Sequence, residues 1–484
     1  MSRLRSPSRR RLLGSAGAIA ALGVLRQYQA VAASNADVTG RLARYMVSAR
    51  DRALPEAAVS ACKDRILDTF AAMVSGARMR PGIMAVDYVR RLGGTAQAGI
   101  VASSLRTTAA NAALANAMCA HADETDDFEP VTKAHPGCSA VPAALAMAEK
   151  NGASGEAFIR AVTLGYDVGC RLLMALGPDL VRNTHRSAEG TSSTFCALGA
   201  AAPLAQLDEQ RMRFAISYAA QQVSGLWSWV NDEDHIEKAF DFAGMGARNG
   251  VMAVTMAEAG MTGISDVLDG THNLLMALST EPRPEAMVEG LGSLYYVSES
   301  AIKTFSVGYP NQSALDAILL LRKQYSLTPA NVQSILVRLP TDAIGIVGSS
   351  AMADVNCQHL VSLALLKGAV SFNDSHDAAL MKDPAVLAIR QKVQVTGDAA
   401  LMDPAAPRGA IVQVTMADGR RVEQHTRFPP GTKENPLSTE AVNSKARDLM
   451  VPVLGATKTD RLIGQLNNLE KLDDIRRLRS LLAV

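Results

Sequence analysis

From Asp37 to Leu294 apolar positions recur every three or four residues, broken by short Gly or Pro interruptions, and this spacing predicts a succession of helices that each bury one stripe. Between Pro55 and Val74 the stripe is Val59, Cys62, Ile66, Phe70 and Val74. Thr107–Ala120 is small and apolar, which predicts a tightly packed core helix running straight into His121. In Ala140–Glu149, Val141, Leu145 and Ala148 fall on one helical face, with Pro142 expected where a first-turn proline is tolerated and Gly137–Ser139 as the entry turn. Gly155–Leu176 and Gly199–Trp229 extend the series, the latter as two helices broken near Leu207 and Asp208.

After about Val297 the pattern changes. Val332–Leu339 and Ile411–Met416 alternate apolar and polar residues in the manner of half-buried strands, and Ala417-Asp418-Gly419 followed by Arg420–His425 predicts a hairpin. Helices at Gln312–Lys323 and Gln358–Lys367 lie between the strands. Helix returns near the end, where Ser438 can cap, Glu440 stands in the first turn and Val442–Leu454 supplies an apolar stripe. The expected architecture is therefore mainly α: a large all-α helical domain formed by both chain ends, residues 37–296 and 436–484, with a smaller inserted α+β lid domain at 297–435. No period of 20 to 50 residues recurs clearly enough to indicate a repeat protein.

Composition narrows the function classes. A chain of 484 residues with 48% hydrophobic content has room for two buried cores, and only 4% aromatics suits close-packed helices better than a β-sandwich. Lys plus Arg (49) nearly balances Asp plus Glu (47), and a cluster of the arginines crowds into the first dozen residues, so no general nucleic-acid surface is implied. A small molecule is the expected partner. Six cysteines without CxxC pairs argue against a zinc ribbon or a disulfide framework and favour buried thiols.

Residues 1–33 have the layout of an export signal: a basic start, the alanine- and glycine-rich run Leu12–Leu25 and an Ala30-Val31-Ala32 cleavage-like triplet. Within it, Ser8-Arg9-Arg10-Arg11-Leu12-Leu13 resembles the twin-arginine signal, which implies a mature chain beginning near Ala33 in the periplasm, or a cytoplasmic protein if the signal is not functional. The run is too short and too weakly apolar for stable membrane anchoring.

The densest collection of proton-transfer groups is His121–Glu149, where a run of carboxylates and two histidines meets the start of an apolar segment. A helix N-terminus carries unpaired N–H groups and partial positive charge, so a loop delivering His135 to it can hold an anion such as a carboxylate. The same His and Asp residues could bind a divalent ion in a metal-dependent hydrolase, but a HExxH or comparable second cluster is missing, so no metal is expected.

Three blocks together resemble the MmgE/PrpD family, which includes 2-methylcitrate dehydratase and cis-aconitate decarboxylase. They are His121-Ala-Asp-Glu124-Thr-Asp126-Asp127 with His135-Pro136-Gly137, then Lys238-Ala-Phe-Asp-Phe-Ala-Gly-Met-Gly-Ala-Arg248-Asn249-Gly250, then Lys303-Thr-Phe-Ser-Val-Gly-Tyr309-Pro310-Asn311-Gln312. The resemblance implies a helical domain with an α+β lid, a homodimer, a site between the domains and no cofactor. It also implies elimination from, or decarboxylation of, a short polycarboxylic acid, with isomerase or epimerase chemistry or a periplasmic polycarboxylate-binding protein as alternatives.

By match to the motifs, Glu124 takes the place of the first acidic residue, His135 that of the active-site histidine and Lys238 that of the lysine. Such chemistry needs a base, an acid and cations for the substrate's carboxylates. Asp126, Asp127 and His185 are further candidates for proton transfer, and Arg248, Lys303, Tyr309 and Gln312 for substrate binding, although Arg248 can equally tie two helices together. Two positions depart from the family pattern: a histidine expected near Gly190 is replaced by His185 five residues upstream, and Pro310 stands where the dehydratase carries a histidine. His235, His272, His359, His376 and His425 are expected to be core or surface residues.

Overall fold

The computed structural model describes residues 37–484, so the twin-arginine-type segment 1–33 lies outside the described residues. The longer helices of the first half are α1 (Val38–Ala49), α2 (Glu56–Gly76), α3 (Arg80–Leu92), α4 (Ala109–Ala120), α5 (Gly137–Asn151), α6 (Gly155–Leu176), α7 (Ala188–Ala201), α8 (Glu209–Ala220) and α9 (Met245–Glu258). Side-chain caps begin many of them: Thr108 accepts from Asn111 N, Ser154 from Ala157 N and Asp208 from Arg211 N. The break expected near Leu207 and Asp208 is thus the Asp208 cap, preceded by a 3-10 turn at Ala202–Ala205.

Small residues let α6 and α7 approach almost backbone to backbone. A Cβ placed on Gly169 would stand 2.0 Å from the Cys196 sulfur, and one on Gly199 would stand 2.8 Å from the Leu164 carbonyl oxygen. α7 begins at Ala188, capped by Ser187, rather than near Gly199, and the sequence concealed this start because every residue of Ala188–Ala201 is buried and no polar face leaves a period to be read.

The second unit is α+β. A four-stranded sheet runs in the order β2-β1-β3-β4, with β1 at Val332–Pro340, β2 at Val393–Asp398, β3 at Ala410–Met416 and β4 at Arg421–Thr426. β2 runs parallel to β1, while β3 and β4 form the antiparallel hairpin expected around Asp418-Gly419. Ile335, Val337 and Leu339 alternate inward from β1 and join Val412 and Val414 in a core shared with α10 (Gln312–Tyr325) and α11 (Cys357–Lys367).

The chain then returns to the helical unit. Ser438 caps α12 (Thr439–Leu454), which packs on α2, and Val442, Leu449 and Met450 join the larger helical core, followed by α13 (Ala456–Asn467). All six cysteines are buried and unpaired. Among the described residues no helix is long and apolar enough to cross a membrane.

A second local expectation is corrected. α5 starts at Gly137 on Pro136, so Gly137–Ser139 is its first turn, and Pro142 lies in the helix interior. A proline there withholds the amide that would bond the Cys138 carbonyl four residues back.

Candidate functional site

The site is assembled at the ends of α4 and α5 and on a short helix before α9. α4 stops at His121, and three residues later Glu124 takes a left-handed backbone (φ 54°), a conformation disfavoured for a residue with a side chain and held only by its surroundings. Lys238 stands on the short helix Ile236–Ala239, whose preceding residue His235 is also left-handed (φ 61°), and a π-helical turn follows at Phe240–Gly244. Single π turns within helices recur at functional sites because they re-aim side chains.

Asp126 is the centre of a buried network. It accepts from His121 Nδ1 at 2.9 Å and from His135 Nδ1 at 2.9 Å. An ionised carboxylate only accepts hydrogen bonds, so each ring donates from Nδ1, and in a neutral ring Nε2 is then left as a lone pair. Burial alone would push the Asp126 carboxyl up, but His121, Lys303 and His135 outweigh it and hold the group well below the usual range.

Glu124 is gripped from two sides. Lys238 Nζ bonds Oε1, and Lys303 Nζ donates to Oε2 at 3.1 Å and to the backbone carbonyl of the same residue at 3.0 Å. Burial opposes ionisation of Glu124, yet Lys238 and Lys303 keep its carboxyl well below the ordinary value. Lys303 is raised in turn, its burial outweighed by Glu124 and Asp126. The Lys238 ammonium also lies 5.1 Å from the Trp229 ring centre and 5.2 Å from that of Phe242.

Glu124, His135 and Lys238 line one small cleft, together with Arg182, Tyr309 and Arg408. Tyr309 stacks on Phe128 with ring centres 4.1 Å apart and forms part of its apolar wall. His121, Glu124 and His235 are close enough to share a metal ion, but Glu124 is already neutralised by two ammonium groups that would repel a divalent cation. The charge of the cleft suits an anion.

The remaining expected residues sit elsewhere. Asp127 turns into the core, accepting from Gly137 N at 2.9 Å and from the Tyr166 hydroxyl at 2.6 Å, and burial pushes its carboxyl up to about 6. It fixes the start of α5. His185 is exposed and left-handed (φ 60°), and this turn brings Arg182, not His185, to the cleft. Arg248 points away, holding Asn249 Oδ1 at 3.0 Å and lying over the Phe240 ring. Gln312 binds the backbone of Thr304 and Phe305, so it shapes the segment that carries Lys303 without lining the cleft.

Two histidines expected to be ordinary core or surface residues belong to this region. His235 is buried with Nε2 3.7 Å from Glu124 Oε1, and burial together with Lys238 lowers it well below the usual imidazole range. His376, from the α+β unit, approaches the Asp123 carbonyl with Nε2 at 2.9 Å and lies 3.6 Å from Asp354. The position of His235 three residues before Lys238, one helical turn away, was its available signal. Arg182 and Arg408 carry no local motif, because the fold alone brings them together.

Comparison with known proteins identifies the family. The chain matches the MmgE/PrpD N-terminal domain over residues 40–287 and the MmgE/PrpD C-terminal domain over residues 305–471. It is also 22% identical over 477 residues to the cis-aconitate decarboxylase-like protein oryM of Aspergillus oryzae, an alignment covering 92% of this chain and 97% of that protein. The two domain matches take in the helical unit that supplies Glu124, His135 and Lys238 and the α+β unit that completes the cleft, and on their combined extent this chain belongs to the MmgE/PrpD family.

Proposed function

We propose that the protein is a cofactor-free lyase acting on a small di- or tricarboxylic acid, either dehydrating a 2-methylcitrate-like hydroxy acid or decarboxylating a cis-aconitate-like acid. Family membership supports the dehydratase or decarboxylase type. The observation that carries the finer reading is the pairing, in one cleft, of a histidine with its Nδ1 committed to Asp126 and a lysine on a buried carboxylate.

In this reading His135 Nε2 is the base that takes the proton beside a substrate carboxylate, with Asp126 stabilising the imidazolium that results. Lys238 faces the charge that develops on the other side and gives a proton to the departing hydroxide or, after loss of carbon dioxide, to the carbanion. Glu124, itself held by Lys303, positions the Lys238 ammonium. The same two groups could return the proton to the opposite face, which is the isomerase alternative.

The test is to incubate purified protein with 2-methylcitrate, citrate and cis-aconitate and follow the acids by proton NMR. Loss of water or carbon dioxide from one of them supports the proposal. Inversion without loss would favour an isomerase, and binding without any conversion a polycarboxylate-binding protein. The reading also includes a homodimer, measurable by light scattering at micromolar concentration, and twin-arginine export, which replacement of Arg9 and Arg10 by lysine should abolish.

A further inference from the structure

We infer that Arg408 and Arg182 form a two-guanidinium receptor for a substrate carboxylate remote from the reacting carbon, so that an acid with a single carboxylate fills only half of the site. The inference rests on the acid/base reading of the cleft given above and adds the group that selects the substrate.

Arg408 is only 4% exposed and is used on one side. Its Nη1 donates to both Asp342 oxygens at 3.0 Å and to the Pro407 carbonyl at 2.8 Å. Its Nε and Nη2 are buried and have no hydrogen-bond partner among the described residues. These two N–H groups share one edge of the guanidinium, the edge whose spacing matches the two oxygens of a carboxylate. Arg182 is also incompletely used: Nη2 holds Glu189 at 2.5 Å and the plane lies 5.1 Å from the Trp227 ring centre, while Nε and Nη1, which lie on different edges and so donate singly, have no partner among the described residues. Buried charged donors are seldom left without acceptors in proteins, and both residues line the cleft that contains Lys238 and His135.

The charge count points the same way. Asp342, the acid beside Arg408, is also bonded by Lys133 at 2.9 Å, so one carboxylate faces two cations. The other partner of Lys133, Asp179, has its side chain 78% exposed and contributes little in water. Burial brings the Arg408 guanidinium below its ordinary value against the pull of Asp342, and nearby Arg182 adds to the shift. An anion between the two arginines would relieve both effects. Arg182 follows α6 in the helical unit and Arg408 precedes β3 in the α+β unit, so the bound carboxylate would also join the two units.

The probe is tricarballylate, a tricarboxylate with no hydroxyl to eliminate, titrated calorimetrically into the full-length protein and into Arg408→Lys and Arg182→Lys. Each variant keeps its charge, while Arg408→Lys loses the fork and Arg182→Lys the single guanidinium donors. Tricarballylate should bind Arg408→Lys about 10- to 100-fold more weakly, the worth of a charge-assisted bidentate contact, and Arg182→Lys about 10-fold more weakly, with the ligand-free unfolding temperature little changed. For any acid the unmodified enzyme converts, KM should rise by a similar factor while kcat falls less than about threefold, a split that general loosening of the structure would not produce. If Arg408→Lys does not fold, Arg182→Lys, at the partly open rim, decides the matter. Unchanged tricarballylate binding in the folded variants overturns the receptor and leaves the lyase reading standing. Failure of the unmodified protein to bind tricarballylate overturns the polycarboxylate reading and the receptor with it.

Discussion

At Asp126 one carboxylate sets the proton positions of two imidazoles, and the rest of the proposed chemistry follows from that. Asp126→Asn keeps the shape but offers an amide that no longer fixes the tautomer, so turnover should fall by about 10²-fold or more with the fold intact, as measured by initial rates and circular dichroism. Asp241 gives a test in stability instead. It is 7% exposed, accepts from Leu226 N at 3.2 Å, and burial pushes its carboxyl up to about 7 from 3.8. The folded chain therefore holds a proton there that the unfolded chain has already released, and this contribution to stability is lost as pH rises from about 4 to 7. Asp241→Asn should remove the loss, so thermal melts at pH 5 and pH 8 should show the variant gaining on the unmodified protein at the higher pH, and an equal difference at both values would contradict the assignment. At this scale the sequence was informative where chemistry is local. His135, Lys238, Glu124 and Asp126 could be picked out from dense motifs, whereas His185 and Arg248 have the right side chains and are turned away by a left-handed residue in one case and by helix phase in the other. Arg182 and Arg408 were illegible because the attraction that pairs them with a ligand depends on folding across more than two hundred residues.

At the scale of elements, the helices and strands do not need to be rigid for the same reasons. α6 and α7 are held by close approach: Gly169 admits the Cys196 sulfur where any side chain would collide. Gly169→Ala should destabilise the protein by about 1–3 kcal/mol through overpacking, read as a lower urea midpoint, while leaving the cleft residues untouched. If the midpoint is unchanged, the helices are not in contact there. The first half of α2 and the alternating strands β1 and β3 were legible because one face meets water and leaves a period in the sequence, although α2 is buried all round from Arg65 to Gly76. α7 is buried all round and leaves none, and the interior position of Pro142 depended on α5 beginning three residues before its apolar stripe. The π turn after Lys238 likewise has no compositional signature.

For the whole molecule, the helical core supplies Glu124, His135 and Lys238, the last two being the proposed acid/base groups, and the α+β unit supplies Tyr309, Arg408 and the wall above them. Lys303, at the passage from one unit to the other, ties that junction to Glu124. A single cleft is thereby charged for an anionic substrate and furnished with one free imidazole nitrogen and one ammonium. That these two groups move the proton is the central claim, and Lys238→Arg tests it most directly, since arginine keeps the charge but does not exchange a proton near neutral pH. The measurement is proton NMR in deuterium oxide of the unmodified protein and of Lys238→Arg with the acid found to react. The unmodified protein should convert the acid, and Lys238→Arg should still bind it while turning it over at least about 10²-fold more slowly. Near-normal conversion by Lys238→Arg would reduce Lys238 to an electrostatic clamp and contradict the account.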